Sequence, residues 1–173
     1  MSDAVGRLPL ISRKPKGGMT LGKIISGGQT GVDRGALDAA LAADFPTGGW
    51  CPADRSAEDG AIPPWYPLIP LDGGGYRERT LQNVVDSDGT VILAPGELTG
   101  GTHLTLEFCK ERGKPALVID AAQHPASEAA AQIATFIERH SIRTLNVAGP
   151  RASTWSHAHE YAQRTVCGLL ALR

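Results

Sequence analysis

The stretch Ser26-Gly27-Gly28-Gln29-Thr30-Gly31-Val32-Asp33-Arg34 holds residue types whose natural chemistry is anion binding. Glycine tolerates positive φ and lets a ligand approach the main chain. Where such a turn opens a helix, free N–H groups and the positive end of the helix dipole favour negative charge. Arg34 adds a forked donor beside the same turn. Thr30 and Asp33 also have the spacing of a capping box, which would make the turn a plain helix start. Three glycines between Gly27 and Gly31 exceed what a helix start needs. The binding residues expected here are Gly27, Gly28, Gln29, Thr30, Gly31 and Arg34. A bulky β-branched residue at Gly28 is expected to abolish binding and leave the fold intact.

Two later stretches repeat the construction of strand, glycine turn, hydroxyl residue and helix. One runs from Ala94 to Thr102, with Gly100, Gly101 and Thr102 as a second wall. The other runs from Ala148 to Ser153, with Arg151 to meet charge and Ser153 to cap the next helix. The spacing fits neither G-x-x-x-x-G-K-[ST] nor G-x-G-x-x-G, which argues against a Walker NTPase or an ordinary NAD site. His103 and Glu107, four apart, share a helix face. They read as an acid/base pair at the ligand or, preferably, as a surface pair. His157 and His159 are two apart and diverge on a helix, so they are no metal pair, and no metal site is expected. The loop with Trp50, Arg55, Glu58, Asp59, Trp65 and Tyr66 either closes over a planar ligand or is a surface loop pinned by prolines.

The elements that must hold these loops follow from hydropathy and turn signals. Strands are expected at 21–26, 49–51, 66–71, 90–94, 116–120 and 144–148. Helices are expected at 32–43, 76–86, 101–112, 127–140 and 153–172, the third stopped by Gly113 and Pro115. This alternation predicts βαβ crossovers and an α/β domain with a mostly parallel sheet flanked by helices. Runs such as Val91-Ile92-Leu93 and Leu117-Val118-Ile119 fit strands covered on both faces. In such sheets ligands bind beyond the carboxyl ends of the strands, where all three glycine loops fall.

The 173 residues suit one domain. Residues 1–21 read as a disordered leader and 22–173 as the ligand-binding domain. The leader's apolar piece, Leu8 to Ile11, is too short for a signal peptide. A net charge of −1 gives no electrostatic case for nucleic acid or a membrane surface, and no apolar run nears the roughly 20 residues that span a bilayer. Cys51, Cys109 and Cys167 are odd in number and far apart, which fits free thiols in a reducing cytoplasm.

Lys23 to Asp38 resembles the opening of the molybdenum cofactor carrier-like family. The likeness continues through Gly49-Trp50-Cys51-Pro52, Ala57-Glu58-Asp59-Gly60, Ser87-Asp88-Gly89-Thr90, Gly100-Gly101-Thr102 and Asn146 to Arg151. It implies a single Rossmann-like three-layer domain, related to cytokinin-activating phosphoribohydrolases, and homo-oligomers, often tetramers. It implies a binding protein for molybdenum cofactor, a phosphorylated pterin with a dithiolene-held metal, with a related oxyanion as a lesser option. The phosphoribohydrolases use P-G-G-x-G-T-x-x-E, whose Glu serves catalysis. Here Glu107 follows Thr102 by five residues, not three, which turns it about 200° around a helix. The alternative is a nucleotide-processing enzyme that cleaves an N-glycosidic bond with Glu107 and an arginine.

Overall fold

The computed structural model describes residues 19–173; the expected leader, up to residue 18, lies outside the described residues. Ahead of the expected domain boundary, Leu21 is buried. Thr20 Oγ1 donates to the Ile142 carbonyl at 3.0 Å.

In chain order the elements are β1 (Lys23–Ile25), α1 (Val32–Ala42), β2 (Thr47–Gly48), β3 (Trp50–Pro52), β4 (Ser56–Ala57), β5 (Gly60–Ala61), β6 (Ile69–Leu71), α2 (Tyr76–Asp86), β7 (Gly89–Ala94), α3 (Gly100–Glu111), β8 (Ala116–Asp120), α4 (Ala126–His140), β9 (Thr144–Ala148) and α5 (Ala158–Leu170). The main sheet is five-stranded and wholly parallel, in the order β2-β1-β9-β7-β8. This is the α/β fold the alternation predicts. Two small additions stand apart from it: a parallel β3–β6 pair and an antiparallel β4–β5 hairpin. Among the described residues, no helix is long and apolar enough to cross a membrane.

Strand side chains alternate between faces. Ile24, Val91, Leu93, Leu145 and Val147 join the large core under α1, α4 and α5. The opposite face lies under α2 and α3, where Val84 of α2 meets Phe108 and Cys109 of α3. Thus β9 and β7 are neighbours, yet their following helices lie on opposite faces. Such a reversal opens a crevice at the carboxyl ends of the two strands.

The closing helix begins at Ala158, five residues after the expected start, with His157 and not Ser153 as its N-cap. The intervening residues turn on the Arg151 carbonyl, which accepts from Thr154 N and Trp155 N, each at 3.0 Å. α3 ends as its glycine signal predicts: Gly113 takes φ 62°, and Lys114 N donates to the Cys109 carbonyl at 2.9 Å. Cys51 and Cys109 are buried; Cys167 is exposed.

Candidate anion-binding cleft

A cleft of about 620 Å³ opens at the carboxyl ends of β1, β9 and β7. Of the residues singled out from the sequence, it brings together Gln29, Gly100, Gly101, Thr102, Arg151 and Ser153. Gly27, Gly28, Thr30, Gly31 and Arg34 are not among its lining residues. The three loops do sit on adjacent strands of one sheet edge.

The glycines of the first loop answer to packing. At Gly27 a Cβ would lie 1.8 Å from Arg79 Nη1, so the missing side chain admits a guanidinium from α2. At Gly28, φ is 79° and a Cβ would lie 2.3 Å from Leu68. At Gly31, φ is 82° and a Cβ would lie 2.4 Å from the Pro150 carbonyl. The expectation that Gly28 tolerates a β-branched residue is therefore corrected: the position is fixed by φ and by the apolar cluster of Ile62, Tyr66 and Leu68.

The polar groups of this loop have partners within the chain. Asp33 does not cap Thr30; its Oδ2 accepts from Gln29 N at 3.2 Å, and α1 is capped by Gly31 without a side-chain bond. Burial pushes the Asp33 carboxyl up, against the opposing pull of Arg79 and the Gln29 N–H. Arg34 donates from Nε to the Gly28 carbonyl at 3.0 Å and forks onto Asp59 at 2.6 and 2.8 Å. Glu58 accepts from the hydroxyls of Thr30 and Ser153 and from Ser153 N, with Arg151 Nη1 at 3.9 Å. The two hydroxyls, Ser153's foremost, hold its carboxyl below the usual range. The β4–β5 tip thus ties the first and third loops together. Arg55 donates to the carbonyls of Ile62, Pro63, Tyr66 and Leu68 and organises its own loop.

One donor of the first loop is left over. Gln29 Oε1 accepts from Thr30 N and Glu58 N, both at 3.0 Å, which fixes the orientation of the amide. Its Nε2 then has no partner among the described residues, although Gln29 is 93% buried from solvent, its exposure being 7%. Arg79 has a similar excess. Nη1 stands 3.5 Å from Asp33 Oδ2, a long contact, and Nε is buried without a partner among the described residues. Leaving such a donor unpaired costs roughly 1–3 kcal/mol.

The second loop is arranged differently. Gly100 and Gly101 open α3, whose N-cap Thr99 makes no side-chain capping bond. A Cβ at either glycine would meet open space. Gly100 takes φ 53°, but Gly101 has no positive φ. Neither packing nor conformation requires a glycine at 101. Thr105, three residues after Thr102, stands where the phosphoribohydrolase pattern has its Glu. Its hydroxyl donates to the Gly101 carbonyl at 2.9 Å. Glu107 is half exposed, 3.9 Å from His103, and lines no part of the cleft: the surface pair of the two readings.

Sequence reasoning missed the contribution of α2. Tyr76, Arg77, Arg79 and Thr80 line the cleft opposite the third loop. Asn83 docks this helix by exchanging hydrogen bonds with the backbone of Trp50 at 2.8 and 2.9 Å. Arg77, Arg79 and Arg151 supply positive charge, and Asp33 is the one carboxylate among the lining residues. Hydroxyls of Thr99, Thr102 and Thr154 also line the cleft and can donate to an oxyanion, whereas those of Thr80, Thr105 and Ser153 already donate within the chain.

Comparison with known proteins places the fold in a family. The model of a family described as the circularly permutated YpsA SLOG family matches residues 24–170. A search of the curated proteins finds no match. A crystal structure named "Putative molybdenum carrier protein", from Syntrophus aciditrophicus SB, is 42% identical, with a TM-score of 0.85. The likeness covers 87% of this chain and 96% of that one.

Proposed function

We propose, on the premise that this chain belongs to the circularly permutated YpsA SLOG family, that it binds and carries a phosphorylated small molecule. Its cargo is molybdenum cofactor, held by the phosphate end. The carrying observation is the pair of unpartnered donors, Gln29 Nε2 and Arg79 Nε, in residues that line a cleft beside the uncapped start of α3. An anion there answers both donors and meets the free amides of Gly100 and Gly101. A volume of about 620 Å³ suits a small ligand. The name of the 42%-identical relative supports the choice of molybdenum cofactor over other phosphate esters.

The test is to prepare the protein with and without oxygen, titrate it with molybdenum cofactor, and follow affinity and cofactor lifetime. Saturable binding at one site per chain with a lengthened lifetime is expected. No binding, and no protection beyond that given by albumin, refutes the reading.

A further inference from the structure

Tyr76 lines the cleft, and it lines a second, shallower cavity as well. That cavity measures about 430 Å³ and is walled by Pro52, Ala53, Asp54, Ser56 and the glycines 73–75. The two openings therefore share one residue, Tyr76, which is 43% exposed. The aromatic residues of the long loop line neither opening. Trp50 is held by Asp86, and Tyr66 by Asp38. The wall beyond Tyr76 is mainly backbone and small side chains. Gly73 takes φ 68°, and a Cβ there would meet open space. Tyr76 and Arg79 are three residues apart on α2, about 4.5 Å along its axis. Both residues line the cleft.

We infer that Tyr76 is the stacking platform of a second subsite, so that the ligand is a planar heterocycle joined by a short linker to a phosphate monoester. The phosphate lies at Arg79 and the start of α3. The heterocycle lies on Tyr76, with its far edge in the second cavity. This deepens the function proposed above and rests on it. Tyrosine presents a large ring face to a flat ligand. Stacking of a base on an aromatic side chain is worth about 5- to 150-fold in affinity.

The experiment is calorimetric titration of the full chain with inorganic phosphate, ribose 5-phosphate and a nucleoside 5′-monophosphate, for wild type, Tyr76→Ala and Tyr76→Phe. Wild type is expected to bind the nucleotide at least fivefold more tightly than ribose 5-phosphate. Tyr76→Ala is expected to bring the nucleotide down to the affinity of ribose 5-phosphate, with phosphate and ribose 5-phosphate unmoved. Tyr76→Phe is expected to keep the preference. The residue is exposed, and unchanged thermal unfolding establishes that Tyr76→Ala folds. A wild type without preference for the heterocycle, or a Tyr76→Ala that retains it, overturns the stacking subsite while the anion site stands. A wild type that binds none of the three overturns both.

Discussion

Gly101→Ala separates a glycine kept for a ligand from one kept for the fold. Gly101 lies in the first turn of α3, lacks a positive φ, and has open space where a Cβ would go. Alanine there removes backbone entropy from the unfolded chain without strain, which is worth about 0.4–1 kcal/mol. For a domain of this size that raises the unfolding midpoint by roughly 1–4 °C. The same methyl group stands between an incoming anion and the free amides of the turn. Loss of a hydrogen bond to a charged group costs about 1.5–3 kcal/mol, or roughly 10- to 150-fold in affinity. Stability and binding should therefore move in opposite directions. Gly113→Ala is the control. It too has open space, but its φ of 62° puts alanine in the left-handed region, at a cost of about 1–2 kcal/mol. Scanning calorimetry and titration with inorganic phosphate, on both variants, give the two readouts. Binding that survives Gly101→Ala would remove the start of α3 from the site. A fall in stability would show that the open space is needed by the fold.

Gly28→Val combines left-handed strain with a clash against Leu68 and should cost about 2–6 kcal/mol in urea unfolding; a variant as stable as wild type would contradict the packing. Burial raises the folded pKa of Asp33 above its ordinary 3.8, so its contribution to stability falls as pH rises from about that value through the folded pKa. The stability difference, wild type minus Asp33→Asn, should accordingly decrease with rising pH across that window; a difference that grows would reverse the assignment. Glu58 is displaced the other way, so its contribution is present above 4.5 and lost as pH falls through the lower folded value. Glu58→Gln should flatten that acid-side loss in pH-dependent denaturation, and an unchanged profile would show that the tie between Thr30 and Ser153 contributes nothing. Glu107→Gln should leave affinity for molybdenum cofactor unaltered by titration, because the carboxylate lies outside the cleft; a large loss would restore the nucleotide-processing alternative.

The five helices and the strands β1, β7, β8 and β9 were legible because each has a strong local signal; β2, β4 and β5, two residues each, carry none and went unread. Tyr76–Asp86, Ala116–Asp120 and Thr144–Ala148 fall where periodicity and flanking turns put them. That β1, β7 and β9 present their loops on one edge also follows from parallel crossovers. Their adjacency does not, because strand order is a tertiary property. Nor could α2 be foreseen in the site. It follows β6, which pairs with β3 outside the main sheet, so the strand-end rule says nothing of it. The only local trace is Arg77 and Arg79 on an otherwise ordinary amphipathic helix. Ser153 looked like a cap because its type and place are right. What overrides that propensity is Glu58, distant in sequence, which draws both its hydroxyl and its N–H away.

The same distant contacts explain why three similar glycine loops differ in the donors they leave free. A carboxylate tethered within the chain faces a donor at high effective concentration, so a free anion competes poorly for that donor. Asp33 stands in this way against the first loop, and Glu58 against Thr30 and the third. Both are carboxyl groups of the chain itself, seated where the sequence pattern alone would seat a ligand. The start of α3 has no such occupant: its N-cap makes no side-chain bond and its first turn carries no acidic residue. The Gly27–Gly31 turn is thus a frame. It leaves room for Arg79 at Gly27 and carries Gln29, whose amide the β4–β5 tip orients. Substitutions in that frame should disturb binding only as far as they move Arg79 or Gln29. Gly27→Ala tests this: it displaces the Arg79 guanidinium end and crowds the Asp33 carboxyl at 2.9 Å but meets no backbone, so binding should weaken by more than stability. An equal loss of both would return the turn to the role of a simple structural hinge.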